Sequence, residues 1–208
     1  MAVVITVAQQ KGGAGKTTLA ANLAAAAATT RRVAVLDIDP QRSLTHWHAL
    51  RAARSKAAAV ALSNVSGWRL AGELDRLRRS FDLLLVDSPP QADTDAKLAV
   101  RAADLVLVPV QPSPPDLWAA ASIMALAHNE KRPARLVMNR APASGRLRAE
   151  VEAEIGRLSY PRLGSVLGNR IGFAAAFAQG LGVTEASPRS AAARELLALL
   201  QEIEGIIG

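Results

Sequence analysis

Residues 11–18 read Lys-Gly-Gly-Ala-Gly-Lys-Thr-Thr, and the reading of that octet decides the fold. Residues 3–8, just before it, are a short apolar run rich in β-branched side chains, and residues 17–29, just after it, are alanine-rich and helix-favouring. The glycines therefore fall at a strand-to-helix turn. Because Gly12, Gly13 and Gly15 lack side chains, backbone N–H groups around them and Ala14 can converge on phosphate oxygens, helped by the positive end of the following helix. Lys16 would reach the β- and γ-phosphates, the Thr17 hydroxyl is placed to bind Mg2+, and Thr18 to touch the α-phosphate. The generic pattern wants glycine at position 10, where this chain has Gln10. A glycine-rich turn that merely joins strand to helix is the plainer reading, and two acidic strand ends argue against it.

The first of these follows the apolar run 33–38, in Asp37-Ile38-Asp39-Pro40-Gln41. The second follows 81–86, in Asp87-Ser88-Pro89-Pro90. In an open parallel sheet ligands bind at the carboxyl ends of strands, so all three motifs would meet at one edge. Asp87 then has the position of a carboxylate that holds Mg2+ through water, and Asp39 is placed to orient the attacking water, so that Thr17, Asp39 and Asp87 are the expected metal residues. Read singly, each aspartate is also a plausible strand cap or turn former.

With these residues in view, the chain resembles the deviant Walker ATPases of the ParA/MinD family, closest to the short, ParF-like proteins that partition plasmids. The resemblance rests on QKGGAGKTT at 10–18, LDIDPQRS at 36–43, LLLVDSPP at 83–90 and VPVQPSPPDLWAAAS at 108–122, and it covers nearly the whole chain. It implies that Lys11 is the signature lysine, reaching across a nucleotide-sandwich dimer to the partner's phosphates, and that Asp39 is the hydrolytic carboxylate. It also implies that Asn139, after an expected strand, reads the adenine edge; asparagine at a strand end is otherwise a common turn residue. The implied cofactors are ATP and Mg2+. The implied partners are a second copy of the chain, non-specific DNA, and a ParB-like or centromere-binding activator that speeds an otherwise slow hydrolysis. The cargo is a plasmid or chromosome in this reading. The alternative cargo is a protein assembly, a carboxysome or a chemoreceptor cluster, and a metabolic P-loop enzyme is a third reading.

Composition agrees. The 208 residues, half of them hydrophobic, suit a single domain over 1–208 with a substantial core. Alternating strand-like and helix-like segments predict an α/β, doubly wound, mostly parallel sheet with helices on both faces. Cysteine is absent, which excludes an iron–sulfur relative that shares the loop. The first residues run straight into the loop-bearing strand, so the expectation is a cytoplasmic, nucleoid-associated protein without a signal peptide or a preceding operator-binding region.

The formal net charge of +7 is unevenly spread: residues 131–194 hold eleven basic against four acidic side chains. Lys131, Arg132, Arg135, Arg146, Arg148, Arg157, Arg162, Arg170, Arg189 and Arg194 are expected on loops and helix faces away from the phosphate loop. Of these, Arg135, Arg146, Arg148, Arg170 and Arg189 are the candidate contacts to the DNA backbone; an ordinary solvated face is the plainer reading. The final residues pattern as a helix whose polar positions are Glu195, Gln201, Glu202 and Glu204. Acidic groups are repelled by an anionic bilayer, so docking on the core is expected rather than membrane binding. Pro109, Pro112, Pro114 and Pro115 are expected to follow the strand 105–108 as an extended segment, with a helix starting near Asp116. Trp68 and Trp118 are expected as packing anchors.

Overall fold

The computed structural model describes residues 2–55, 57–90 and 94–208. The strands are β1 (Val3–Val7), β2 (Val33–Asp37), β3 (Val60–Asn64), β4 (Leu83–Asp87), β5 (Leu105–Val110), β6 (Ala134–Ala141) and β7 (Arg162–Gly168). Between and after them lie α1 (Lys16–Ala27), α2 (Ser43–Ala52), α3 (Leu70–Leu77), α4 (Thr94–Ala102), α5 (Pro114–Asn129), α6 (Arg146–Arg157), α7 (Ile171–Phe177), α8 (Val183–Ala186) and α9 (Ala191–Ile207). Among the described residues the strands form one sheet in the order β3-β2-β4-β1-β5-β6-β7, every pairing parallel. The expected doubly wound sheet is present.

Continuous apolar strands are the consequence of covering both faces. Odd-numbered Ile5, Val7, Val33, Val35, Leu83, Leu85, Leu105 and Leu107 pack with α1, α2 and α9. Even-numbered Val4, Ala34, Leu36, Leu84 and Val86 pack under α3, while Val106, Val108, Leu136 and Met138 pack under α5 and α6. The alanines of α1 let that helix sit close on the sheet and on its neighbours: a Cβ at Gly182 would lie 2.5 Å from Ala25. Asn22, buried on the same helix, donates to the Thr18 carbonyl and accepts from the Val183 N–H, tying α1 to α8. The last helix docks as expected, burying Leu196, Leu199 and Ile203.

Two expectations need correction. Pro109 belongs to β5, where it is register partner to Val137. Its register partners on β1 stop at Val7, opposite Leu107, and the Gln9 side chain donates to the Pro109 carbonyl at 3.1 Å. Proline is tolerated there because it lies two residues beyond the last β1–β5 register pair, where no ladder bond from its nitrogen is required. The helix begins at Pro114, capped by Ser113, whose hydroxyl accepts from the Asp116 N–H. Trp68 and Trp118 are about 70% exposed, and the indole that anchors the core is Trp47, fully buried and donating to the Leu181 carbonyl. Beside it Arg51 pairs with Glu185 at 2.6 Å, joining α2 to α8.

Candidate nucleotide site

The loop between β1 and α1 lies on the sheet's carboxyl edge. Gly13 and Gly15 have φ of +80° and +90°, a left-handed backbone that glycine adopts without strain. Gln10 is not among the residues with positive φ, so a side chain fits where the generic motif has glycine. Its N–H donates to Gln9 Oε1 at 2.8 Å, and buried Gln9 staples the loop to β5 and α5 through the Pro109 and Asp116 carbonyls. Gly15 caps α1 with no side-chain hydrogen bond, which leaves the first N–H groups of the helix for an anion.

A cavity of about 350 Å³ opens over this turn, lined among others by Lys16, Thr17, Thr18, Asp39 and Arg140. A second, of about 260 Å³, adjoins it on the far side of Gly15 and Thr18, where Asn22, Asn139, Leu167, Arg170, Ile171 and Phe173 form a mixed apolar and polar wall. The two cavities share Gly15, Thr18 and Arg140.

The electrostatics of the first cavity are those of an incomplete ion cluster. Asp87 is fully buried, with no hydrogen-bond partner of regular geometry at either oxygen among the described residues. Burial pushes its carboxyl up to about 7, with Asp37 and Asp39 adding to the rise and the Thr17 hydroxyl and Lys16 opposing it. Lys16 is buried too, and burial lowers its pKa against the pull of Asp87 and Asp39. An orphaned carboxylate beside a threonine hydroxyl is a fit for Mg2+, which takes few protein oxygens and keeps its waters.

Asp37, a strand-end residue to which sequence reasoning gave no role, holds Asp39 in place. Its Oδ1 accepts from the Asp39 N–H at 3.2 Å, and its Oδ2 accepts from the Thr45 N–H and hydroxyl at 2.9 and 2.6 Å. The turn is closed by Gln41, whose N–H donates to Asp39 Oδ1, and by Arg42, whose guanidinium donates to the Asp37 carbonyl.

Lys11 goes elsewhere. Its ammonium pairs with Asp116 of α5, a carboxylate that is 1% exposed and also accepts from the Ser113 hydroxyl. It does not line the phosphate cavity. The Ser113-x-x-Asp116 spacing is the signal for a capping box that could have marked this helix start.

Asn139 sits inside β6 rather than after it, with Nδ2 donating to the Ala14 carbonyl at 2.8 Å and Oδ1 accepting from the Arg140 N–H. The expectation that the candidate DNA arginines lie away from the loop fails for Arg170, which lines the second cavity beside Gly15 and Thr18 and pairs with Glu195 at 2.5 Å. The chain end of β7 followed directly by α7 brings it back. Arg146 and Arg148 pair with Glu150 and Glu152 one turn on. Arg135 donates to the Ala134 carbonyl, and neither it nor exposed Arg189 has an ion-pair partner among the described residues.

The chain is 30% identical to maintenance of carboxysome distribution protein A of Halothiobacillus neapolitanus, over 97% of this chain and 96% of that one. Among solved structures, apo McdA of Cyanothece superposes with a TM-score of 0.83 over 100% of both chains at 17% identity. A putative plasmid partition protein of Borrelia burgdorferi bound to AMPPNP superposes with a TM-score of 0.81 over 99% of both at 18% identity. No helix among the described residues is long and apolar enough to cross a membrane. Residues 5–183, from β1 through the loop and both acidic strand ends to the start of α8, match the family description throughout, and the chain belongs to the CobQ/CobB/MinD/ParA nucleotide binding domain family.

Proposed function

We propose that this chain is an ATP-driven positioning switch whose cargo is a protein assembly. The observation that carries this reading is the end-to-end match to a carboxysome distribution protein. The plasmid reading draws on likeness of fold at 18% identity and on a 33% match to Protein ParA of Rhizobium radiobacter over 62% of this chain and 57% of that one, so it stands second.

The residues support a slow ATPase that works in pairs. Lys16 and the α1 N–H groups hold the phosphates, Thr18 the α-phosphate, and Asn139 the base in the adjoining cavity. The Thr17 hydroxyl and Asp87 would hold Mg2+, which would supply positive charge beside the phosphates. Asp39, fixed by Asp37 and Gln41, orients the attacking water at the mouth of the cavity. Lys11 leaves Asp116 and crosses to the phosphates of the second copy, so closure needs both nucleotide and twin. A basic side chain supplied by an activating partner would add about 10³–10⁵ in rate.

While closed around nucleotide, the pair is tethered to DNA. Arg146, Arg148 and Arg170 are neutralised by glutamates, so the tether falls to cations without a carboxylate partner among the described residues. Lys131, Arg132, Arg135 and Arg162 form such a group in the chain where β6 and β7 begin, and Arg132 and Arg135 line a hollow of about 430 Å³ there.

The test is sedimentation of Asp39→Ala with MgATP, followed by deletion of the gene in its host. A shift from monomer to dimer and misplaced protein assemblies support the switch. A monomer at saturating MgATP refutes it, and evenly spaced assemblies with raised plasmid loss replace the cargo.

A further inference from the structure

Two consecutive carbonyls of the phosphate loop are held by side chains from neighbouring strand ends. The Gly13 carbonyl accepts from Arg140 Nη1 at 2.9 Å and from Gln111 Nε2 at 3.3 Å. The Ala14 carbonyl accepts from Asn139 Nδ2 at 2.8 Å. In a trans peptide the C=O and the following N–H point in opposite directions. Holding the Gly13 carbonyl therefore aims the Ala14 N–H, and holding the Ala14 carbonyl aims the Gly15 N–H.

We propose that Arg140, Gln111 and Asn139 are positioning residues that pre-set the anion cradle by turning the N–H groups of Ala14 and Gly15 inward. The proposal rests on the reading of residues 11–18 as a phosphate site, and it adds a role for Asn139 that is independent of the base.

The backbone is built to deliver this clamp. Between the pairs Met138↔Val166 and Ala141↔Gly168, β6 spends one more residue than β7. That bulge contains Asn139 and Arg140, and Arg140 has φ of +50°. A left-handed conformation in a non-glycine residue costs about 1 kcal/mol, and a bulge re-aims side chains that a regular strand would direct elsewhere. The loop reciprocates: a Cβ on Gly15 would stand 2.6 Å from Asn139 Nδ2, so glycine is required there for close approach as well as for its φ of +90°. Asn139 keeps a second N–H and an oxygen lone pair for a ligand. A cradle whose donors are already oriented loses no reorganisation energy when phosphate arrives.

The test measures affinity for MgADP and for magnesium pyrophosphate, the second by displacement of a fluorescent ADP. Arg140→Ala is expected to weaken both ligands by a common factor of about ten, the worth of one hydrogen bond from a charged donor. Arg140→Lys, which keeps a donor, recovers most of it. Gln111→Ala with Arg140→Ala loses more than the product of the single losses, because each single variant leaves the Gly13 carbonyl one donor. Asn139→Ala weakens pyrophosphate as well as MgADP. All variants keep the wild-type melting temperature without ligand to within a few degrees.

Pyrophosphate affinity that is unchanged in Asn139→Ala and Arg140→Ala, while the wild type binds both ligands, overturns the clamp and leaves the nucleotide site standing. A wild-type protein that binds neither ligand overturns both.

Discussion

Replacing Asp116 by asparagine should make the ATP-bound dimer tighter. The carboxylate of Asp116 is 1% exposed, and the Lys11 side chain that pairs with it is 41% exposed. At contact distance with an effective dielectric near 20, the attraction is about 5 kcal/mol before desolvation. Solvent at the lysine end and the entropy of its four-carbon stem reduce the net value to about 1 kcal/mol. Asparagine keeps the shape and can still take the Ser113 hydroxyl bond, so the substitution removes mainly the charge. If Lys11 has to leave Asp116 before it can serve a second subunit, each protomer loses that pairing on closure. Two pairings amount to about 2 kcal/mol, or roughly thirtyfold in the dimer dissociation constant. The assay is sedimentation velocity with MgATP in an Asp39→Ala background, where hydrolysis does not drain the dimer. Asp116→Asn should move the monomer–dimer midpoint to about thirtyfold lower protein concentration, and Lys11→Ala should bind MgATP and remain monomeric. A dimer no tighter, or weaker, than the control would mean that the ion pair persists or helps in the closed state. The account of Lys11 as a cation held in reserve would then be wrong.

Lys16→Ala should raise the dissociation constant for MgATP by about a hundredfold, read by calorimetry, because a buried charged donor to phosphate is lost. Asp39→Ala should lower single-turnover hydrolysis by 10²–10⁴ with nucleotide affinity retained, the range for a positioned acid–base group. Burial raises the pKa of Glu185, yet the Arg51 bond and the Gly182 N–H outweigh it and hold the carboxyl below its usual value. A lowered folded-state pKa gives stability that is present above about pH 4.5 and lost as pH falls through the folded value. Glu185→Gln should therefore flatten the acid limb of the stability profile and cost about 3 kcal/mol near neutrality by stranding Arg51. Converting Arg132, Arg135 and Arg162 together to alanine should reduce the slope of log affinity for duplex DNA against log salt by about 3 with MgATP present. The Arg146→Ala, Arg148→Ala control should leave that slope unchanged.

The grouping of Lys16, Thr17, Thr18 and Asp39 in one cavity, with buried Asp87 beside it, was legible because parallel strands deliver their ends to one edge, and each motif carries its own strand in the residues before it. What local pattern could not supply was anything set by pairing or by helix face. Arg140 reaches the loop only because β7 is one residue shorter than β6 across a bulge, and no spacing within 134–141 announces that. The Lys11 and Asp116 side chains stand 105 residues apart. Arg170 looks like one more basic surface residue until α7 folds it beside Glu195. The three tryptophans differ in exposure through where the chain sets each: Trp47 on the inner face of α2, Trp118 on the outer face of α5, and Trp68 in a short turn before α3. Trp47 faces Phe177 and Arg51, whereas Trp68 is 70% exposed with the Arg69 guanidinium over its ring.

The strand order gives these scattered contacts one origin. Leaving β1, the sheet runs through β4 and β2 to β3 on one side and through β5 and β6 to β7 on the other, so the loop stands at the point where the winding reverses. The β4 and β2 side contributes the acids of the site: Asp87, Asp39, and Asp37 behind them. The β5 and β6 side contributes the hands that shape the loop: Gln111 and Arg140 on the Gly13 carbonyl, Asn139 on the Ala14 carbonyl, and Asp116 on Lys11. Charge demand and backbone geometry are thus set by opposite halves of the sheet. A substitution on the first half should alter metal dependence and hydrolysis at constant phosphate affinity, and one on the second half should alter phosphate affinity and dimerisation at constant metal dependence. Asp39→Ala and Arg140→Ala are the paired variants for that comparison. If both changed the same kinetic constant by the same factor, the division of labour across β1 would be false.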